Sequence, residues 1–585
     1  MPQNRFFEGL DMERFSIPLY RMRGYEPLAK SGSEVKQKKR VSNDKRCWVI
    51  VIGLIVTVCF LLGVTFAGGW SDGYSGKTFD QILSLEAALA KKKILDNIGP
   101  RIGALDGLVV ASPSKGDKPY LPNYYFTWTR DSALVHSSLL SSFLPHAYLT
   151  SYAWSGPRKV DRTRHSNFKM NEDLIRAYIH SQDRIQSTTN PSGGFMDGGL
   201  NEPKFQVDGS PFRGDWGRPQ RDGPALRALR LIPYAHFLLD RSYSLDVKYV
   251  QENLYDPQQV KVPGRIIKND LEEVASGWMK HGFDLWEEVD GYHFFTLIVS
   301  MRALQAGAIL ASRLNDTGAE TYYVQQAGSI GEKLEDFWDD EKGYYLSSLP
   351  KLPSKNSESS ISLDIPNFPS REWQDCSMPL SLIHAGNQFD SANVQRYPNI
   401  TFPVFGPTNP RVLATLDKYI KSFEGMYKIN GGKNWTQGWA LGRYKEDVYD
   451  GVGKSIASPW HICTNAIAQS FYLVQSQLYV EGSMDGFKVD FGFWSDIMKE
   501  SVNFNDTERR TGDVNFDEAI VRLGEIGDGF LNVSRRAFEE GGKSMSEQID
   551  RNNGNPRGAR DLTWSYSSFV TAVRAREEAK ALLGL

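Results

Sequence analysis

Four carboxylates lie close together in the segment DLWEEVDG, residues 284–291. Two of them, Glu287 and Glu288, are adjacent and follow the apolar side chain of Trp286. Like charge and loss of hydration both disfavour ionisation, so such a pair can keep one carboxyl protonated near neutral or mildly acid pH. That carboxyl would be a general acid. A solvated acidic loop that favours the N-terminus of the next helix is the alternative that these residues leave open.

A second segment, YYFTWTRD at residues 124–131, ends an aromatic run with Arg130 and Asp131. Guanidinium donors beside carboxylate acceptors suit a pair of hydroxyl groups, because a hydroxyl both donates and accepts hydrogen bonds. A structural salt bridge is the alternative interpretation. Both remain open at this point.

Three further segments combine the same residue types. A rigid Gly/Pro loop, DWGRPQRDGP at residues 215–224, displays Trp216 together with arginines. The segment GRYKEDVY at residues 442–449 is followed by Pro-Trp at 459–460, and SEQID at 546–550 contains Glu547. The nine histidines form no H-E-x-x-H pattern and no zinc-type Cys/His spacing, so we expect neither a metal nor another cofactor.

Composition indicates a globular protein with a large core, since hydrophobic residues make up 41% and charged residues 24% of the 585 positions. A formal net charge of -2 provides no basic field for a phosphate backbone, so we do not expect nucleic-acid binding. Of four cysteines, Cys47 and Cys59 lie in an apolar segment. Cys376 and Cys463 remain, either as a disulfide or as two buried thiols.

That apolar segment, residues 47–67, runs for 21 positions without a charge, which is long enough to cross a bilayer. Six Lys or Arg residues at positions 36–46 predict that residues 1–46 form a cytoplasmic basic tail. The chain is then a type II membrane protein whose large domain faces a lumen or the exterior, and five N-x-S/T sequons fit that topology. A secretory signal peptide cleaved near residue 67 is the alternative.

After a linker at residues 68–80, residues 81–585 show helical periodicity separated by long loops, and no strand-rich module. The domain is therefore predicted to be all-α. Apolar residues at i, i+3, i+4 and i+7 spacing mark five helices, at 171–186, 294–313, 320–337, 462–479 and 562–583.

Taken together, the five segments resemble glycoside hydrolase family 15, the glucoamylases, over residues 80–585. The resemblance implies an (α/α)6 barrel with six inner and six outer helices and a pocket built by the loops at one end. It also implies that Glu287 is the general acid and Glu547 the general base. The residues implied to bind substrate are Tyr124, Arg130, Asp131, Trp216, Glu288, Arg443, Tyr449 and Trp460.

The activity that the resemblance implies is inverting exo-hydrolysis of α-1,4-linked, and more slowly α-1,6-linked, glucose at the non-reducing ends of starch- or glycogen-like chains. The product would be β-D-glucose and the protein a monomer. A relative acting on trehalose or dextran-type linkages is one alternative. A membrane-anchored glycan-binding pseudoenzyme is another, against which the retention of both Glu287 and Glu547 argues.

The chain departs from the family pattern at Gly558, where mould glucoamylases typically carry Ser. If that serine donates a hydrogen bond to the base, its absence leaves Glu547 with a higher pKa. We therefore expect Gly558→Ser to move the acidic limb of kcat/KM to lower pH.

Overall fold

The structure is a computed structural model in which the chain divides into two units, Met1–Gly76 and Lys77–Leu585. The residues that it describes are 74, 76–144, 166–350, 368–386, 397, 402, 405–482, 491–498 and 515–585. The predicted basic tail at 1–46 and the predicted transmembrane segment at 47–67 lie outside them. The first described helix begins at Phe79, so it includes the last two residues of the predicted linker.

Fourteen α-helices occur in the described residues, so the expected helical architecture is confirmed. In chain order they are α1 (Phe79–Asp96), α2 (Thr129–Phe143), α3 (Ser166–Ser187), α4 (Asp222–Arg241), α5 (Ser244–Asn253), α6 (Ile266–Gly277), α7 (Phe294–Arg313), α8 (Thr317–Leu334), α9 (Ser377–Ala385), α10 (Pro410–Lys421), α11 (His461–Glu481), α12 (Phe491–Met498), α13 (Phe516–Glu540) and α14 (Thr563–Leu583). All five helices predicted from periodicity are present, and α7 has the predicted bounds.

Six of these helices form a closed ring. Each helix contacts the next in the order α2, α4, α7, α9, α11 and α14, and α14 contacts α2 to close the ring. The inner position explains their sequences, because α7 is buried along almost its whole length and on all faces. Among the described residues, α7 alone is long and apolar enough to cross a membrane, and 94% of its apolar window is buried inside the protein, as in a core helix.

A second layer surrounds this ring. Each outer helix contacts one inner helix of the ring: α3 contacts α2, α6 contacts α4, α8 contacts α7, α10 contacts α9, α13 contacts α11, and α1 contacts α14. Outer helix α13 shows the amphipathic pattern that this position requires, burying Leu523, Ile526 and Phe530 on one side. Six inner helices, each backed by one outer helix, make the (α/α)6 arrangement.

The strands are short and lie in the loops. They are β1 (Thr127–Trp128), β2 (Lys204–Phe205), β3 (Gly282–Phe283), β4 (Asp290–His293), β5 (Trp338–Asp339), β6 (Tyr344–Tyr345), β7 (Ser348–Leu349), β8 (Gln548–Ile549) and β9 (Pro556–Arg557), and every pairing is antiparallel. Strand β1 leads directly into α2, and β4 leads directly into α7. The loops before the inner helices are thus tied to one another at one end of the ring.

Cys376 and Cys463 form a disulfide, with their Cα atoms 5.6 Å apart. The alternative of two free thiols was the wrong one. Cys376 immediately precedes α9 and Cys463 lies in the first turn of α11, so the bond joins two neighbouring inner helices at the end of the barrel where the loops meet. It closes a segment of 87 residues, worth roughly 4–5 kcal/mol in the chain-entropy account of disulfides.

Candidate active site

The loop that connects β3 to β4 contains three of the four carboxylates, and the fourth, Asp290, is the first residue of β4. The turn of this loop is held by Asp284, whose Oδ1 accepts the backbone N–H groups of Glu288 at 2.7 Å and Val289 at 2.9 Å. Asp284 is buried and has a structural role. Glu287 itself has a φ of 68°, in the left-handed region that costs a non-glycine residue free energy. The fold therefore stabilises an unfavourable backbone conformation at the predicted general acid.

Two donors converge on one oxygen of Glu287. The indole Nε1 of Trp128 donates to Oε1 at 2.7 Å, and Nε2 of Gln220 donates to the same oxygen at 3.1 Å. Burial raises the pKa of Glu287, and this effect outweighs the opposing charges of Arg130 and Lys204 and the two hydrogen bonds. A raised pKa is the property that a general acid needs.

The rigid loop at residues 215–224 packs directly against the acid loop. A β-carbon at Gly217 would lie 2.4 Å from the carbonyl oxygen of Glu287, so this close approach requires glycine. The neighbouring Trp216 places its ring centroid 6.0 Å from that of Trp128. Its Nε1 is buried and donates to no described protein atom, so a bound hydroxyl can accept from it.

Arg130 and Asp131 lie in the first turn of α2. The Arg130 guanidinium is buried and donates to the carboxylate of Asp222, the first residue of α4, and to Oε1 of Gln220. Arg130 thus forms a structural salt bridge, and its partner is Asp222 of another segment. The hydrogen bond from Arg130 to Gln220 orients the amide that holds Glu287. Burial raises the pKa of Asp131 to about 7.

Glu288 has surroundings unlike those of Glu287. Nη2 of Arg443 donates to Glu288 Oε1 at 2.8 Å, and the Tyr444 hydroxyl donates to Oε2. Burial alone would raise the pKa of Glu288, but the Arg443 charge and these hydrogen bonds outweigh it and lower the pKa. Arg443 is held in turn by two hydrogen bonds to Asp447, at 2.6 and 2.8 Å. Adjacent carboxyls in the sequence therefore have pKa values displaced in opposite directions.

An aromatic wall stands beside Arg443. The ring centroid of Trp460 lies 5.7 Å from that of Trp286 and 6.1 Å from that of Tyr449. The Trp286 indole donates to both carboxylate oxygens of Asp375, each at 3.0 Å, which fixes the ring against the start of α9. The Trp460 Nε1, like that of Trp216, is buried without a hydrogen-bond partner among the described protein atoms.

Glu547 is completely buried in the loop before β8. Its N–H donates to the carbonyl of Ala559 at 2.7 Å, and the Tyr449 hydroxyl donates to its Oε2 at 3.4 Å. The Tyr449 and Tyr124 hydroxyl oxygens are 2.9 Å apart. Burial raises the pKa of Glu547 to about 8, and its Oε1 accepts from no described protein atom.

Gly558 borders this carboxylate, as the resemblance implied. It has a φ of +71°, and a β-carbon built on it would lie 2.2 Å from Glu547 Oε2. The backbone at this position therefore leaves no room for a side chain while the carboxylate keeps its place.

The two predicted catalytic carboxyls come from opposite sides of the ring. Glu287 precedes α7, and Glu547 precedes α14, which is three helices away in either direction. Side chains connect them across the site: Trp128 binds Glu287, its ring lies 5.7 Å from that of Tyr124, and Tyr124 and Tyr449 lead to Glu547. The aromatic side chains thus join the two carboxyls.

All ten site residues predicted from the sequence lie in the loops or first turns at this end of the inner helices. The structure adds Trp128, Gln220, Asp222, Tyr444 and Asp447, which stand inside the segments already singled out and could have been chosen from them. It also adds Lys204, for which the sequence analysis contained no signal. Among the described residues, no three His, Cys, Asp or Glu side chains cluster so as to hold a metal ion.

A closed helical ring whose loops present one carboxyl pair among tryptophans and tyrosines is typical of a barrel-type glycoside hydrolase. Comparison with known proteins agrees with this class. The family model described as glycosyl hydrolases family 15 matches residues 88–574. The chain belongs to that family.

Its relatives include fungal glucoamylases. The chain is 33% identical to Glucoamylase-1 of Schizophyllum commune over 502 residues, covering 85% of this chain and 74% of that protein. It is 32% identical to a probable glucoamylase of Schizosaccharomyces pombe over 509 residues, covering 86% and 93%.

Solved structures give the same picture. The family 15 glucoamylase from Hypocrea jecorina is 33% identical, with a TM-score of 0.66 over 86% of this chain and 73% of that one. The glucoamylase from Saccharomycopsis fibuligera is 28% identical, with a TM-score of 0.66 over 86% of this chain and 96% of that one.

Proposed function

We propose that the protein is an inverting, exo-acting glucoamylase that hydrolyses terminal α-1,4-linked, and more slowly α-1,6-linked, glucose from starch- or glycogen-like chains and releases β-D-glucose. The observation that carries the proposal is the pair of buried carboxyls, Glu287 and Glu547, contributed by opposite helices of one ring. The glucoamylases among the relatives support the same substrate class.

The chemistry begins at Glu287, which protonates the glycosidic oxygen as the bond to the anomeric carbon breaks. The sugar passes through an oxocarbenium-like state. Glu547 accepts a proton from the water that attacks the other face of the ring, so configuration inverts. Inversion requires room for that water between the two carboxyls, which precede opposite helices of the ring.

Substrate binding is assigned to the groups around this pair. Glu288 and Arg443 together provide an acceptor and donors for sugar hydroxyls, and Asp131 adds a further acceptor. The indole N–H groups of Trp216 and Trp460 donate to hydroxyls, and their rings pack against sugar faces. The proposed exo-action requires a pocket that opens only at the loop end of the ring, because such a pocket accepts a chain end in preference to an internal bond.

The test is hydrolysis of maltotriose followed by proton NMR before mutarotation. We expect β-glucose first; α-glucose at the start contradicts inversion. Glu287→Gln should lower kcat by roughly 10²–10⁴-fold with KM little changed, because general acid catalysis is lost. Glu424→Gln changes an exposed carboxyl outside the five site segments, so it is the matched control and should leave kcat unchanged.

A substrate panel separates the alternatives. Faster hydrolysis of trehalose or isomaltose than of maltotriose would favour a relative that acts on other linkages. Binding of maltooligosaccharides without any glucose release would favour a pseudoenzyme.

We also propose that residues 47–67 anchor this domain in a membrane as a signal-anchor, with residues 1–46 in the cytoplasm. The support is the uncharged 21-residue span and its basic flank. Microsomes should protect the C-terminal domain from protease and leave the tail exposed, and alkaline carbonate should not extract the protein. Complete extraction by carbonate contradicts the anchor, and an endoglycosidase mobility shift would report lumenal exposure of the sequons.

A further inference from the structure

A lysine is enclosed by aromatic rings next to the proposed general acid. Lys204 lies in β2, directly opposite Trp128 of β1, and the residue is 2% exposed. Its Nζ lies 3.3 Å from the ring centroid of Trp216 and 4.6 Å from that of Trp128. The rings of Phe126 and Phe212 complete the enclosure, each at 4.2 Å. We call these four rings the aromatic cage.

Burial of an ammonium group costs free energy that a salt bridge usually offsets. Among the described residues, no carboxylate oxygen lies within 4.0 Å of Lys204 Nζ. Attraction to the four ring faces offsets part of the cost, at about 0.5–2 kcal/mol for each good contact. An apolar residue of similar length would fill the same space without that cost, so packing alone does not explain a lysine here.

The cage includes the two rings that matter most for the site. Trp128 donates the 2.7 Å hydrogen bond to Glu287, and Trp216 is an assigned substrate-binding residue. One face of the Trp216 ring is covered by the ammonium, so a sugar can meet only its other face or its edge. The charge of Lys204 thus acts on the acid both through space and through the indole that holds it.

We propose that Lys204 is a positioning residue of this active site: its caged ammonium is a fixed positive charge that favours the ionised form of Glu287 and keeps the Trp128 and Trp216 rings in place. The proposal rests on the assignment of Glu287 as the general acid. A general acid must become a carboxylate in the transition state, so a nearby cation stabilises the charge that develops there.

Lys204 is not the sole cation acting on Glu287, because the charge of Arg130 also favours the ionised carboxyl and does so more strongly than that of Lys204. Arg130 and Asp131 act from α2, but Arg130 is already paired with Asp222, and burial raises the pKa of Asp131 to about 7. On the lysine side, burial lowers the pKa of Lys204 to about 8, and the charge of Arg218 acts in the same direction. Arg218 is itself paired with Glu202 at 3.1 Å. The ammonium is therefore charged at mildly acid pH.

The test compares Lys204→Met, which keeps the length and removes the charge, with Lys204→Arg, which keeps the charge. In the Met variant the pKa of Glu287 should rise, so the basic limb of kcat/KM for maltotriose should move up by about 0.5–1 pH unit, given that a near opposite charge shifts a pKa by 1–3 units. We expect kcat to fall about tenfold and KM to change less. Lys204→Arg should keep the basic limb of the wild-type enzyme.

The exposed Lys92 provides the matched control, since Lys92→Met changes net charge equally and should leave the profile unchanged. If Lys204→Met lowers kcat at every pH without moving the basic limb, the lysine has only a packing role and the proposal is overturned. If that variant does not fold, Lys204→Gln places a neutral polar group in the cage, and its pH profile is interpreted in the same way. A wild-type enzyme that releases no glucose contradicts the proposed function itself, whereas an active wild type with an unmoved limb contradicts only the role of Lys204.

Discussion

Substitution of Gly558 tests the geometry around the proposed base most directly. A β-carbon there would lie 2.2 Å from Glu547 Oε2, and ordinary contact begins at about 3.4 Å. In Gly558→Ala the carboxylate must therefore retreat by about 1.2 Å, or the backbone must shift by as much. A displacement of about 1 Å at a catalytic group can cost about 10²-fold in rate, and we expect that loss in kcat.

The assay is the initial rate of glucose release from maltotriose, with a thermal melt of each variant. Gly542 is the matched control, because its φ of +68° is nearly that of Gly558 and a β-carbon there meets nothing within 4 Å. Gly542→Ala should cost roughly 1–2 kcal/mol of stability for its left-handed backbone and leave kcat unchanged. The difference between the two alanines isolates the contact with Glu547.

The structure also changes the expectation for Gly558→Ser. The serine brings the same β-carbon as alanine. We therefore expect the loss of kcat to be the main effect of Gly558→Ser, ahead of any shift of the acidic limb of kcat/KM. A folded Gly558→Ala variant within about threefold of wild-type kcat would refute this reasoning. An active Gly558→Ser variant with its acidic limb at lower pH would show that the backbone relaxes and that the sequence-based expectation holds.

Three further predictions concern the same end of the barrel. Trp128→Phe removes the N–H donor to Glu287, so kcat should fall about tenfold and the basic limb should move to higher pH in a pH-rate profile. Cys376→Ser breaks the disulfide and should lower the unfolding free energy by up to roughly 4–5 kcal/mol in denaturant titrations, without abolishing activity of the folded protein. Because burial raises the pKa of Glu547 to about 8, the native state binds more protons than the unfolded chain between pH 5 and 8. Stability should fall as pH rises through that window, by about 2 kcal/mol or more, and Glu547→Gln should flatten the slope.

The sequence predicted the helices well where burial alone decides the pattern. Helix α7 is apolar on all faces because it lies inside the ring, so its bounds could be predicted from the sequence alone. The segments around Glu287 and Glu547 could also be recognised as candidate sites, because each concentrates polar and aromatic residues in a few adjacent positions. Assignment of the roles within those segments depended on the family resemblance, since an acidic loop alone was equally compatible with a helix-capping role.

The remaining features depend on residues that are distant in the sequence. The cage around Lys204 is built from two segments more than seventy positions apart, and no local spacing marks the lysine as buried. The salt bridge of Arg130 needs Asp222 from another helix, although both stood in segments already chosen. The disulfide likewise required the barrel to bring two neighbouring helices together.

The roles proposed for the two carboxyls are supported by their hydrogen-bond partners more than by their pKa values, since burial raises both pKa values. Glu287 already accepts two hydrogen bonds on Oε1, from Trp128 and Gln220, and these hold the carboxyl in one orientation for proton delivery. Glu547 Oε1 accepts none from the described protein atoms, so it can accept one from an attacking water. A hydrogen bond to the charged form lowers the pKa of a carboxyl. If Glu547 is the base, as we propose, we expect its ionisation to be coupled to the presence of the attacking water, because that water donates the hydrogen bond that Oε1 otherwise lacks.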